Sequence, residues 1–145
     1  MGILDKAIIK HNFLTTVENA SFISDQALDC LNPVLVAYFC DSYPLEYKEI
    51  SASLNMLSLY LNQLHTLKRE IKNTKDQHPE IFKSKKFSNL YNSAIENIMK
   101  VYAEINYLRT QIAADSNAKN NTKLTKSIAA LEKLENQIQE NQKTI

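Results

Sequence analysis

Two stretches of this chain repeat apolar residues in alternating steps of three and four. The first runs Tyr47, Ile50, Leu54, Leu57, Leu61, Leu64, then Lys68 and Ile71. The second runs Phe87, Tyr91, Ala94, Ile98, Val101, Ile105, Leu108 and Ile112. That spacing holds one seam on one face of a helix and suits it to packing against another helix. A polar, basic break containing His78 and Pro79 separates the seams. The pattern therefore predicts a long antiparallel helical hairpin over about 44–114, each arm roughly 40–48 Å long at 1.5 Å per residue.

Turn chemistry points the same way. The 145 residues include one glycine, Gly2, and three prolines, Pro33, Pro44 and Pro79. A β-protein of this size needs many tight turns, several with φ > 0. A lone glycine also rules out the glycine-rich loops that cradle phosphates. With 44% hydrophobic and 23% charged residues, the composition is that of an ordinary globular domain with room for a core.

Around the hairpin the chain divides into shorter helical segments. Residues 3–20 set Ile3, Leu4, Ala7, Ile8, Leu14 and Val17 near one face, with Ile9 and Phe13 widening it. A break is expected at Asn19–Ser24, with Ser24 or Asp25 as an N-cap. Residues 25–42 are the most apolar of the chain. Asn32-Pro33 reads as a cap with proline at the first helical position, giving a kinked helix or two helices meeting there. The run Val34–Phe39 is apolar nearly all round, the mark of a central core element. Ser42-Tyr43-Pro44 repeats the cap-proline signal ahead of the first long arm. Glu46 and Glu49 open that arm and Lys68, Arg69, Lys72 and Lys75 crowd its end, each charge where the helix dipole favours it. After a polar linker at 115–122, a last helix over about 122–142 carries Leu124, Ile128, Leu131, Leu134 and Ile138, with Thr122 or Thr125 as its cap. Its narrower stripe predicts weaker packing. The expected fold is all-α: a single domain, 1–145, forming an antiparallel bundle of four to five helices built on the central hairpin.

Chemistry is harder to find. No glutamate is followed three positions later by histidine, as di-iron carboxylate bundles require. His11, His65 and His78 are far apart and show no HExxH or Cys/His ligand spacing. Cys30 and Cys40 on one helix would lie about 15 Å apart along its axis, beyond disulfide reach. No catalytic residue, metal ligand or cofactor is expected, and the chain is read as a non-enzyme. The longest apolar run, Pro33–Cys40, is too short to span a bilayer, and no secretory signal is evident. A cytoplasmic protein without membrane contact is expected, and the wealth of Asn, Lys and Ile suggests an AT-rich bacterial or phage genome.

Two features suggest partners. The arms carry more apolar and aromatic side chains than the seams use: Met56, Leu59, Tyr60 and Leu67 on the first, Ile95, Met99, Tyr102 and Tyr107 on the second. Surplus of this kind, rich in tyrosine, points to a face for another protein or a second copy of the chain. The function this favours is a protein-interaction module such as an adaptor, a chaperone or a partner that neutralises a toxin or effector. The alternative is nucleic acid. Net charge is only +1, but residues 1–67 carry three Lys against seven acids, whereas 68–145 carry fourteen Lys or Arg against nine. The basic excess gathers at the hairpin tip, in Lys68, Arg69, Lys72, Lys75, Lys83, Lys85 and Lys86. Phe82 and Phe87 interleave there as possible stacking platforms.

Overall fold

Both seams are sunk in the interior. Ile50, Leu57, Leu61, Leu64 and Ile71 on the first and Ile98, Val101, Ile105 and Ile112 on the second have no solvent exposure. The computed structural model describes residues 2–40 and 45–143. They form five α-helices: α1 (Ile3–Asp29), α2 (Asn32–Phe39), α3 (Tyr47–Gln77), α4 (Lys85–Ala114) and α5 (Thr122–Gln142). Short 3-10 turns at Pro79–Lys83 and Ala118–Asn120 join α3 to α4 and α4 to α5. No strand occurs among the described residues.

The first long arm begins at Tyr47, as its period requires. Glu46 stands at the N-cap, and its N–H donates to Glu49 Oε2 at 3.1 Å, the return half of a capping box. The Ser42-Tyr43-Pro44 signal lies outside the described residues. Asn121, not Thr122 or Thr125, caps α5: its Oδ1 accepts from the N–H groups of Lys123 (3.0 Å) and Leu124 (3.4 Å).

The hairpin arms are not each other's main neighbours. Close backbone approach runs from α1 to both arms and from α5 to both arms, and far less from α3 to α4. α3 and α4 thus stand diagonally across a four-cornered bundle, with α1 and α5 at the other corners. This is why the connection needs the 3-10 turn at 79–83: it has a diagonal to cross, and its Ile81 is buried beneath it. α1 starts at the tip, where the Phe13 ring meets Phe82 edge-on at 5.0 Å and Phe87 at 5.9 Å. It ends at the base, where the Cys30 carbonyl accepts from Ser53 Oγ at 2.9 Å. α5 climbs parallel to α3, from Tyr47 beside Lys126 to Asn62 beside Gln137 and Asn141.

Two expectations fail here. No break interrupts α1 at Asn19–Ser24; the helix runs 27 residues. Polar residues there, without Gly or Pro, do not stop a helix whose Ala20, Ser24 and Ala27 are buried against both arms. The Val34–Phe39 run is a separate short helix, α2, and not a central one. Only Val34 and Ala37 are buried, while Phe39 is 73% exposed. Eight residues make about two turns, enough to cover the base of the bundle with one face. α2 is tied there by Tyr38, whose hydroxyl donates to Asp115 Oδ2 at 2.9 Å.

Candidate functional site

The two flanks of α3 are finished differently. Toward α5 lies a cleft of about 520 Å³ that Lys126 and Lys133 help to line, closed at one end by side-chain hydrogen bonds. Ser58 Oγ donates to Gln137 Oε1 at 2.7 Å, and Gln137 Nε2 donates to the Ser58 carbonyl at 2.8 Å and to Asn62 Oδ1 at 2.9 Å. On the α4 side of α5, Arg109 Nε meets Glu135 Oε1 at 2.6 Å. Together these bonds fasten α5 to both arms.

Toward α1 the flank of α3 has an apolar outer edge. A groove of about 340 Å³ opens between the helices, lined by Asn19, Phe22 and Ile23 of α1 and Gln63, Thr66 and Leu67 of α3. None of these residues is charged. Phe22 is 61% exposed on one wall. Leu59 and Met56 lie one and two turns below Gln63 on the outer side of α3, 55% and 43% exposed. Leu67 is half-buried in the groove, and Tyr60, outside the lining, is half-buried too, both packed against the core.

Of the first-arm residues named from sequence, Leu67 lines the groove, whereas Met56, Leu59 and Tyr60 lie along the same helix outside its lining. The second-arm group is dispersed. Tyr102 is a correction: it is buried, with its phenol pushed up to about 12 by loss of water. Ile95 is half-buried and Met99 is 40% exposed. Met99 and Tyr102 are roofed by Lys68 of α3. Lys68 Nζ is 3.6 Å from Met99 Sδ and 5.8 Å from the Tyr102 ring, and Lys75 Nζ is 4.2 Å over Tyr91. Long lysine stems cover apolar surface in this way while the amine seeks the edge. Tyr107, 61% exposed, belongs to a separate cleft with Leu35, Tyr38 and Phe39 of α2. That cleft also includes Glu104, and α2 ends next to residues outside the described part of the chain.

The basic tip is rearranged as well. Lys68 is only 5% exposed, held by its seam position and withdrawn from any external ligand. Burial first, then the nearby Lys72 charge, lowers its amine below the usual lysine range. Arg69, Lys75, Lys83, Lys85 and Lys86 are exposed and Lys72 half-buried. Phe87 is buried and Phe82 half-buried, because they close the top of the core with Phe13 and Tyr91. His65, near the inner edge of α3, is largely buried. Desolvation lowers its pKa first, followed by the charges of Arg69 and Lys68. Among the described residues, no group of three or more His, Cys, Asp or Glu is placed to hold a metal ion. No described helix is long and apolar enough to cross a membrane.

The element sequence reasoning missed is Phe22. It fell in the expected break at Asn19–Ser24, so its place on a continuous α1 was not visible. The only available signal was the absence of Gly and Pro from that segment. Comparisons of the chain with protein families, curated proteins and solved structures find no match, and the groove between α1 and α3 stands on its own geometry.

Proposed function

We propose that this chain is a non-enzymatic protein-interaction module whose working surface is the outer groove between α1 and α3. The observation that carries the reading is an uncharged lining with Phe22 and Leu59 at its edges, each more than half exposed. In a chain that is 23% charged, a groove free of Lys, Arg, Asp and Glu has the composition of an interface centre, where charged residues are depleted and aromatic residues and Met enriched. The partner would lay an apolar ridge between the two helices, as amphipathic helices do in hydrophobic grooves. An adaptor, a chaperone or a toxin-neutralising partner would each work through such a surface.

Nucleic-acid binding at the hairpin tip is the weaker alternative. Lys83, Lys85 and Lys86 still offer phosphate contacts, but with Lys68 and Phe87 buried and Phe82 half-buried the tip keeps little beyond its charge.

Capture from nuclease-treated host lysate tests the choice. The full chain is expected to retain a protein in stoichiometric amount that Phe22→Asp/Leu59→Asp loses, with Lys83→Glu/Lys85→Glu/Lys86→Glu binding as the parent does. Loss with the tip variant alone, or only when nuclease is added, would turn the reading toward nucleic acid.

A further inference from the structure

The cleft between α2 and α4, about 350 Å³ in volume, gathers three aromatic rings around one carboxylate. Tyr38 and Phe39 come from the end of α2, and Glu104 and Tyr107 lie one turn apart on α4. The Tyr38 and Phe39 rings stand 4.8 Å apart at 72°, so they make a corner and not a flat stack. Phe39 and Tyr107 are mostly exposed, whereas Tyr38 is half-buried. Tyr38 is also held in place, since its hydroxyl donates to Asp115 Oδ2 at 2.9 Å.

The electrostatics of the cleft have one sign. Glu104 is the only charged residue among those described that line it. Lys100, one turn earlier on α4, shares the neighbouring cleft with Glu104 but does not line this one. Among the described residues no ion pair engages Glu104. Asp115 adds a second negative charge behind Tyr38. The bond from Tyr38, then the N–H of Asn117, holds the Asp115 carboxyl below the usual carboxylate range. A phenol that donates to a carboxylate is polarised by it, which makes the ring richer in electrons. Aromatic faces are already negative and attract cations.

We propose that this cleft binds an alkylated ammonium ion of the choline class, with its methyl groups against Tyr38, Phe39 and Tyr107 and its charge balanced by Glu104. The remaining walls choose between kinds of cation. Apart from Gln111 they are leucine, among them Leu35 and Leu108. A primary ammonium or a guanidinium brings several N–H donors that all need acceptors, and leucine side chains supply none. A quaternary ammonium donates no hydrogen bond, and its methyl groups gain from apolar walls. This ligand site is separate from the α1–α3 groove and does not depend on how that groove is read.

Titration of the full chain with choline chloride, followed by amide NMR at an ionic strength held with sodium chloride, tests this. Saturable shifts are expected on α2 and on α4 around Tyr107. The neutral isostere of choline, with a tert-butyl group in place of trimethylammonium, should bind about tenfold more weakly or worse. Tyr107→Ala, Phe39→Ala and Glu104→Gln, all at exposed positions, should keep the parent's circular dichroism and each weaken choline about three- to tenfold. Tyr107→Phe, which keeps the ring, and Phe22→Asp/Leu59→Asp, which changes only the other groove, should bind choline as the parent does. Nε-trimethyllysine is the second arm: tighter binding than choline assigns the cation to a methylated side chain, and weaker binding to a free small molecule. Shifts that do not saturate, equal affinity for the neutral isostere, or binding that survives both Tyr107→Ala and Glu104→Gln would overturn the inference.

Discussion

The two flanks of α3 solve opposite problems with similar residues. On the α5 side, Ser58, Asn62 and Gln137 spend their donors and acceptors on each other, and on the far side of α5 Arg109 of α4 is bound to Glu135. On the α1 side, Gln63 and Thr66 edge a strip where Phe22, Leu59 and Met56 are left open. Polar groups that satisfy one another hold a helix inside its own bundle, because a donor or acceptor left alone would be costly. An uncharged apolar strip has nothing inside the bundle left to satisfy, so its free energy is available to something outside.

Substitutions can break or sharpen that contrast. The largest effect is expected in the seam that lies between the flanks. Leu61→Ala should cost about 2–5 kcal/mol in denaturant unfolding, the range for a fully buried leucine whose cavity cannot collapse. Next come the polar fasteners: Gln137→Ala and Arg109→Ala should each cost about 1 kcal/mol, and both should raise hydrogen exchange in α5 before the rest of the chain. Losses of that kind from the outer α1 flank would erase the distinction between them.

An effect of similar size and opposite sign is expected at Lys68. Replacing this buried amine with Met should stabilise the protein on the order of 1 kcal/mol at neutral pH, since no carboxylate among the described residues pairs with it. The folded amine titrates below its unfolded value of 10.5. The folded state therefore holds fewer protons between the two values, and the parent's stability should rise with pH through that window relative to Lys68→Met. Tyr102 acts in the opposite sense, losing stability as pH passes 10 toward its folded value of about 12. Comparing the two proteins at each pH removes its contribution. A gap that does not narrow on the alkaline side would mean that Lys68 is solvated in the fold. The smallest effects belong to the open flank, where Leu59→Ala and Phe22→Ala should each change stability by less than about 0.5 kcal/mol.

Much of the bundle was legible because the period of three and four is dictated by helix geometry. Both seams are buried where their spacing placed them, and α5 begins and ends as its stripe and polar linker implied. The period does not say which helix a seam faces, so the diagonal placement of α3 and α4 was not legible. It needed α1 as one unbroken helix long enough to reach both arms. Lys68 carried two signals, a seam position and a place in a basic cluster, and the seam prevailed because its stem fits the corner beside Met99 and Tyr102. Tyr102 follows Val101 in sequence and looked like surplus, but it is buried beneath Lys68. Of the candidate site, the α3 wall was visible as residues off the seam. The α1 wall was hidden in a stretch whose polar residues resembled a break.

Met56 and Met99 provide a matched pair for the decisive measurement. They are 43% and 40% exposed on opposite flanks, one beside the proposed surface and one beneath Lys68. Hydroxyl-radical footprinting, followed by mass spectrometry, would compare the dilute purified chain with the same chain in host lysate. Our account predicts that Met56, Leu59 and Phe22 become protected in lysate while Met99 oxidises as before. Equal oxidation of Met56 in both settings, or protection confined to Met99, would contradict it.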